Sequence, residues 1–131
     1  MSDKYVLIVD DDPDARQLLG RIVDSMGLQA HLAPDGLAAL KALTSAEQVP
    51  PELVLLDLMM PGMDGFSVFK WLRGNPSTRR VPVVVVTAYS SAQIDMLKLP
   101  GVDSVVRKGT FTRKSLAALL TNLLENNNMD S

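Results

Sequence analysis

The sequence predicts an α/β domain built on one doubly wound, parallel five-stranded sheet, and three observations carry that reading. Apolar runs of β-forming residues recur along the chain, and they are apolar on both sides of the pleat, as strands covered on both faces are. Between them, apolar residues recur at spacings of three and four, the stripe of an amphipathic helix. The connections are short, with no internal repeat and no long linker, and strand–helix units joined in this way form a parallel sheet with helices on both faces.

Tyr5 to Val9 (YVLIV) is the first strand, and it stops at three aspartates. Ala15, Leu18, Leu19, Ile22, Val23 and Met26 then mark a helix, with Asp12 as its N-cap, Pro13 at its first position and Gly27 at its end. A short strand at Leu28 to Leu32 has weak propensity and suits an edge. Asp35-Gly36 opens a helix carrying Leu37, Leu40 and Leu43, and Pro50-Pro51 breaks the chain. Leu53 to Leu56 (LVLL) is a buried strand that again ends at an aspartate, Asp57. In the loop LMMPGMDG, Pro61-Gly62 suits the two central positions of a type II turn. Asp64 caps a helix with Phe66, Phe69 and Leu72 on one face, closed near Gly74. Val81 to Val86 (VPVVVV) is the strongest strand and ends at Thr87. A short helix from Ser91 to Leu97 stops before Pro100-Gly101, and a last strand, Ser104 to Arg107, leads into Lys108. The final helix runs from Thr112 to Glu125 with Leu116, Leu119, Leu120 and Leu123 inward, so the domain is expected to span 1–125 and the polar tail 126–131 to be disordered.

Composition narrows the function classes. A chain of 131 residues fits one domain that buries about two-thirds of its unfolded surface. Apolar residues make up 47%, too many for a disordered chain, and the net charge of −2 offers no basic excess for nucleic acid. With no cysteine, disulfides, thiolate nucleophiles and Cys-ligated zinc are excluded. The single histidine, His31, supports neither a His-rich metal site nor a Ser–His–Asp constellation, and reads as a surface or edge-strand residue. No apolar run is long enough to insert into a membrane or to serve as a signal peptide, so a cytoplasmic setting is expected. The glycines form neither dinucleotide nor P-loop spacing.

In a doubly wound sheet, ligands bind beyond the carboxyl ends of the strands, near the reversal of strand order. The residues that follow the strands are Asp10, Asp11, Asp57, Thr87 and Lys108. Gathered carboxylates repel and raise one another's pKa. A hard divalent cation resolves that repulsion, and oxygen ligands with water suit Mg²⁺. Lys108 offers a point charge to a phosphoryl oxygen and Thr87 a hydroxyl. Each residue has a plainer reading as a solvated strand end, and Asp12 and Asp64 are helix caps. The weight lies in their joint occurrence at the ends of one sheet. Met59, Met60 and Met63 read equally as loop packing or as a contact surface.

VLIVDDDPDARQLL, LVLLDLMMPGMDG, VPVVVVTA and VVRKG resemble, in order and spacing, the motif blocks of the response-regulator receiver domain of two-component signalling. The resemblance runs from Lys4 to Glu125 and is most specific around Asp57. It implies a flavodoxin-like fold with strand order 2-1-3-4-5. Asp57 then matches the phosphoacceptor and Asp10 and Asp11 the acidic pair, with Asp11 the direct Mg²⁺ (or Mn²⁺) ligand and Asp10 acting through water. The Met59 carbonyl matches the third protein ligand, Lys108 the lysine that pairs with the phosphoryl group and Thr87 the switch hydroxyl. Ala88 matches a small residue that leaves the phosphate accessible. Implied partners are a sensor histidine kinase or a histidine phosphotransfer protein, with the downstream target and any phosphorylation-dependent homodimer left open.

Two positions depart from the family pattern. Val105 stands where receivers usually carry an aromatic coupled to the threonine, and Gly109 where proline usually follows the lysine. The phosphoryl chemistry needs neither, so the departures bear on how a signal leaves the site. They favour one alternative, a receiver-shaped interaction module that works without phosphorylation. A second alternative, an enzyme, is a haloacid-dehalogenase-type phosphohydrolase, whose D-x-D pattern Asp10-Asp11-Asp12 fits. It needs acids after the lysine, where only Glu125 and Asp130 follow, and it leaves Asp57 without a role. The expectation is a signalling phosphoacceptor that is not an enzyme acting on other molecules.

Overall fold

The computed structural model describes residues 4–45, 49–60, 62, 64–97 and 100–129. Its elements alternate strictly: β1 (Tyr5–Val9), α1 (Pro13–Ser25), β2 (Gln29–Ala33), α2 (Gly36–Thr44), β3 (Leu53–Leu56), α3 (Gly65–Gly74), β4 (Val83–Thr87), α4 (Ser91–Leu97), β5 (Ser104–Arg107) and α5 (Arg113–Met129). All strand pairs are parallel and the order is β2-β1-β3-β4-β5, the doubly wound arrangement expected.

The two-sided apolar strands explain the layering. In β1, Tyr5, Leu7 and Val9 face one core with Val68, Phe69 and Leu72 of α3 and Ala39 of α2. Val6 and Ile8 face the opposite core with Leu19, Ile22 and Val23 of α1 and Leu116 and Leu120 of α5. Each such buried side chain contributes about 1.5–3 kcal/mol, and the fully buried strands β1, β3 and β4 are the ones whose ends carry Asp10, Asp57 and Thr87. The edge strand β2 is only partly buried. Its His31 stacks on Tyr5 with ring centroids 4.1 Å apart.

The aspartate caps form as expected. Asp12 accepts from the Asp14 N–H at 3.1 Å, Asp35 from Ala38 at 2.7 Å and Asp64 from Ser67 at 2.9 Å. Three boundaries differ from the sequence expectation. β2 lies one residue later, because Tyr5 pairs with Gln29 and Val9 with Ala33. β4 begins at Val83, since Pro82 has no N–H to donate and the Val81 N–H turns to the Thr78 carbonyl at 3.0 Å. α5 continues through Met129, four residues past the expected end, and residues 130–131 of the expected tail lie outside the described residues. Nothing between Glu125 and Met129 is a glycine or proline that would stop the ladder. Of the expected turn after β3, Pro61 and Met63 lie outside the described residues, and Gly62 has the positive φ of 73° that its position in a type II turn requires.

Candidate functional site

β1 and β3 are adjacent, and the last register pair between them is Val9 with Leu56. One residue further on each strand stand Asp10 and Asp57. The backbone ladder holds both: the Asp57 N–H donates to the Val9 carbonyl at 2.9 Å and the Asp10 N–H to the Ala33 carbonyl at 3.1 Å. On the other side of β4 the Lys108 N–H donates to the Thr87 carbonyl at 2.8 Å. Strand pairing therefore delivers residues distant in sequence to one end of the sheet, at the reversal of strand order.

Asp10 and Asp57 are buried, with 1% and 3% of their surface exposed, whereas Asp11 faces solvent. Oxygens of the three carboxylates lie within 4.8 Å of one another. Lys108 reaches in from the end of β5, its Nζ 2.9 Å from Asp10 Oδ2, 3.1 Å from Asp10 Oδ1 and 3.3 Å from Asp57 Oδ2. The Met59 N–H donates to Asp57 Oδ1 at 3.2 Å and the Asp12 N–H to Asp10 Oδ1 at 2.9 Å.

One ammonium does not balance three carboxylates. Burial pushes the Asp57 carboxyl above its usual range; the Met59 N–H and the Lys108 charge oppose that shift, and Asp10 adds to it. Burial alone would lower Lys108, but its hydrogen bond to Asp10 and the two neighbouring negative charges outweigh this and hold the ammonium above its ordinary value. Asp10 Oδ2 is fully buried with no hydrogen bond aligned on it, although Lys108 Nζ lies 2.9 Å away as an ion-pair partner. An all-oxygen cluster with excess negative charge fits a hard divalent cation.

The remaining predicted residues surround this cluster. Thr87 is fully buried, and its Oγ1 accepts from the Tyr89 N–H at 3.2 Å; the hydroxyl bonds its own loop and neither carboxylate. Ala88 is exposed beside it. Met59 projects outward with 48% of its surface exposed, whereas Met60 is buried at 8%. Val105 sits half-buried on β5, in register with Val85. Gly109 has φ of +83°, a conformation closed to proline, whose ring holds φ near about −65°. The loop after Lys108 thus follows a path that only glycine adopts readily.

Two residues went unnoticed in the sequence. Gly65 begins α3 where a Cβ would lie 2.1 Å from the Asp57 carbonyl oxygen and 2.7 Å from Leu58 Cα. A glycine after an Asp cap looks like any helix start, and nothing local reports its closeness to Asp57. Arg16 of α1 donates from Nη1 to the Asp10 carbonyl at 2.8 Å, a contact hidden within an ordinary amphipathic stripe.

The family model described as response regulator receiver domain matches residues 6–128. Among known proteins, the chain is 37% identical over 123 residues to the DNA-binding response regulator MtrA of Mycolicibacterium smegmatis, covering 93% of this chain and 51% of that protein. It is 41% identical over 83 residues to the response regulator PleD of Caulobacter vibrioides, covering 63% of this chain and 18% of PleD. The chain therefore spans about half or less of the length of these relatives. Among solved structures, the response regulator TrrA of Thermotoga maritima, in complex with Mg(2+)-BeF, superposes with a TM-score of 0.75 at 31% identity, covering 92% of this chain and 98% of that one. A CheY-like receiver domain protein of Methanospirillum hungatei shares the fold with a TM-score of 0.85 at 21% identity, over 99% and 100% of the two chains.

Proposed function

The chain belongs to the response regulator receiver domain family, and from that premise we propose that it is a phosphorylation-activated signalling switch whose Asp57 accepts a phosphoryl group. The donor is a phosphohistidine of a sensor histidine kinase or a histidine phosphotransfer protein, and the setting is the cytoplasm. Among the described residues no helix is long and apolar enough to cross a membrane. The observation that carries the reading is the Asp10–Asp11–Asp57 cluster with Lys108 Nζ between its two buried members.

Asp57 is the nucleophile: one of its carboxylate oxygens forms a bond to phosphorus while the bond from phosphorus to the donor's imidazole nitrogen breaks, the nitrogen leaving with the electron pair. Asp11, Asp57 and the Met59 carbonyl would hold Mg²⁺ or Mn²⁺ directly, with Asp10 acting through water. When bound, the cation neutralises charge that the phosphoryl oxygens carry in the transition state. Lys108 takes another phosphoryl oxygen, and the Met59 N–H keeps Asp57 aimed. Positioning and charge account for the catalysis, as a loose phosphoryl-transfer transition state requires. The chain acts only on its own aspartate, and water later hydrolyses the acyl phosphate.

The dianionic product adds acceptors beside Thr87. Moving the Thr87 hydroxyl toward them means giving up its bond to the Tyr89 N–H, so the 87–90 loop is the segment that responds. Val105 and the glycine-specific path at Gly109 favour a second reading, a module that binds partners without phosphorylation.

The test is incubation with acetyl phosphate, with and without Mg²⁺, and measurement of the intact mass. One Mg²⁺-dependent phosphoryl adduct is expected, absent in Asp57→Asn. No adduct on the folded protein supports the second reading. Met59, half-exposed, and Tyr89, in the loop after Thr87, flank the path of the hydrolytic water. Slow self-dephosphorylation is expected, quickened by Met59→Ala and Tyr89→Ala; an unchanged decay rate in both variants refutes that role.

A further inference from the structure

We propose that Arg16 is a positioning residue for the divalent cation, acting through the peptide bond between Asp10 and Asp11. The inference rests on the metal reading above. Asp11 is the exposed member of the cluster, and its side chain makes no hydrogen bond among the described residues. Its carboxylate still lies within 4.8 Å of those of Asp10 and Asp57. The direction of its Cα–Cβ bond must therefore come from its backbone, and three contacts fix that backbone.

The Asp12 N–H is held by Asp10 Oδ1 at 2.9 Å, and the Asp12 carbonyl accepts the Arg16 N–H at 2.9 Å. The third contact is Arg16 Nη1 on the Asp10 carbonyl at 2.8 Å. That carbonyl shares one planar unit with the Asp11 N–H, so holding the oxygen orients the plane from which Asp11 projects. The Asp10 carbonyl lies one residue past the last β1–β3 register pair and accepts no backbone N–H among the described residues. Arg16 makes no ion pair with a carboxylate among the described residues, so its guanidinium acts on the acids through this carbonyl while adding positive charge close by.

A residue that orients a metal ligand without touching the metal typically controls affinity by about 10–100-fold. The experiment is calorimetric titration of MgCl₂ into the unphosphorylated wild type, Arg16→Met, Arg16→Lys, Asp11→Asn and the Arg16→Met/Asp11→Asn pair, with urea unfolding of each in metal-free buffer. Arg16→Met keeps the stem and loses the donor; it is expected to bind Mg²⁺ about tenfold more weakly. Arg16→Lys retains a charged donor for a single carbonyl and is expected to keep most of the affinity. In the Asp11→Asn background, Arg16→Met is expected to cause no further loss, because the route runs through Asp11.

Wild-type protein that binds no Mg²⁺ overturns the metal reading itself. Wild-type binding with unchanged affinity in Arg16→Met overturns only the role of Arg16, as does a variant that loses stability but not affinity. A full additional loss in the Asp11→Asn background, or a Lys variant as weak as Met, also overturns it. If Arg16→Met does not fold, Arg16→Gln, too short to reach the carbonyl, takes its place.

Discussion

Lys108→Ala is expected to lose about 3 kcal/mol of folding stability at neutral pH in metal-free buffer, the cost of leaving buried carboxylates without their counter-charge. The value sits at the low end for a broken buried pair, because the lysine side chain is 23% exposed and solvent replaces part of its effect. Asp10 and Asp57, at 1% and 3% side-chain exposure, are the groups that pay for the loss. The pH dependence follows from the sign of the shifts. Lys108 lowers the Asp57 pKa, which burial has already raised; without it the folded-state value climbs further. A carboxyl with a raised folded pKa takes up protons on folding, so its contribution to stability falls as pH rises through the carboxylate range. The deficit of the variant is therefore small in acid and reaches its full size near neutrality. In the wild type the raised pKa of Lys108 contributes stability that is present below its ordinary value of 10.5 and is lost as pH rises through the folded value, so the deficit shrinks again in strong base. Added Mg²⁺ is expected to restore part of the loss by supplying positive charge to the same oxygens. Combining Asp57→Asn with Lys108→Ala is expected to be less damaging than the sum, with a coupling of about 0.5–3 kcal/mol for groups in direct contact. Urea unfolding across pH, with and without Mg²⁺, measures all three. A Lys108→Ala protein within 1 kcal/mol of wild type at pH 7 without metal (about a fivefold change in the folding constant) would show that the carboxylates find neutralisation elsewhere.

The strand ends were legible in the sequence because each is a change of chemistry at a single residue. YVLIV gives way to Asp10, LVLL to Asp57 and SVVR to Lys108, and the structure ends β1, β3 and β5 at those points. Alternating strands and helices then require that the ends meet at one edge of a parallel sheet, which is why residues at positions 10, 57 and 108 share hydrogen bonds. Less legible were features fixed by contacts between distant segments. The register of β2 depends on pairing with β1, and its weak propensity left the start one residue out. The sequence marks Thr87 as a hydroxyl at a strand end, and its bond to the Tyr89 N–H depends on how the chain turns after β4. Gly109 is likewise only a missing proline in the sequence, whereas its φ of +83° makes it a backbone path of its own. Arg16 escaped notice because its acceptor is a carbonyl, and main-chain oxygens leave no mark in a sequence.

Gly65→Ala tests the least visible of these constraints and is expected to damage both stability and chemistry. The added Cβ would stand 2.1 Å from the Asp57 carbonyl oxygen and 2.9 Å from its carbonyl carbon, both backbone atoms that cannot rotate away. Either α3 withdraws, loosening Val68, Phe69 and Leu72 from the core, or the 57–58 segment shifts. Overpacking of this kind costs about 1–3 kcal/mol. If the strain moves Asp57, its alignment with Lys108 and Asp10 goes with it, and a displacement of about 1 Å at a reacting group slows the reaction by about a hundredfold. Gly74→Ala at the other end of the same helix is the matched control. A Cβ there meets nothing within 4 Å, and replacing glycine by alanine in a helix gains up to about 1 kcal/mol. The expected pattern is thus opposite at the two ends of α3: Gly74→Ala unchanged or stabilised with normal phosphorylation by acetyl phosphate, and Gly65→Ala destabilised with slow phosphorylation. If Gly65→Ala loses stability while keeping the wild-type phosphorylation rate, the strain is absorbed by the helix and Asp57 keeps its place. If the rate falls as well, the close approach of α3 is part of what aims the nucleophile, and a residue without a side chain belongs to the site.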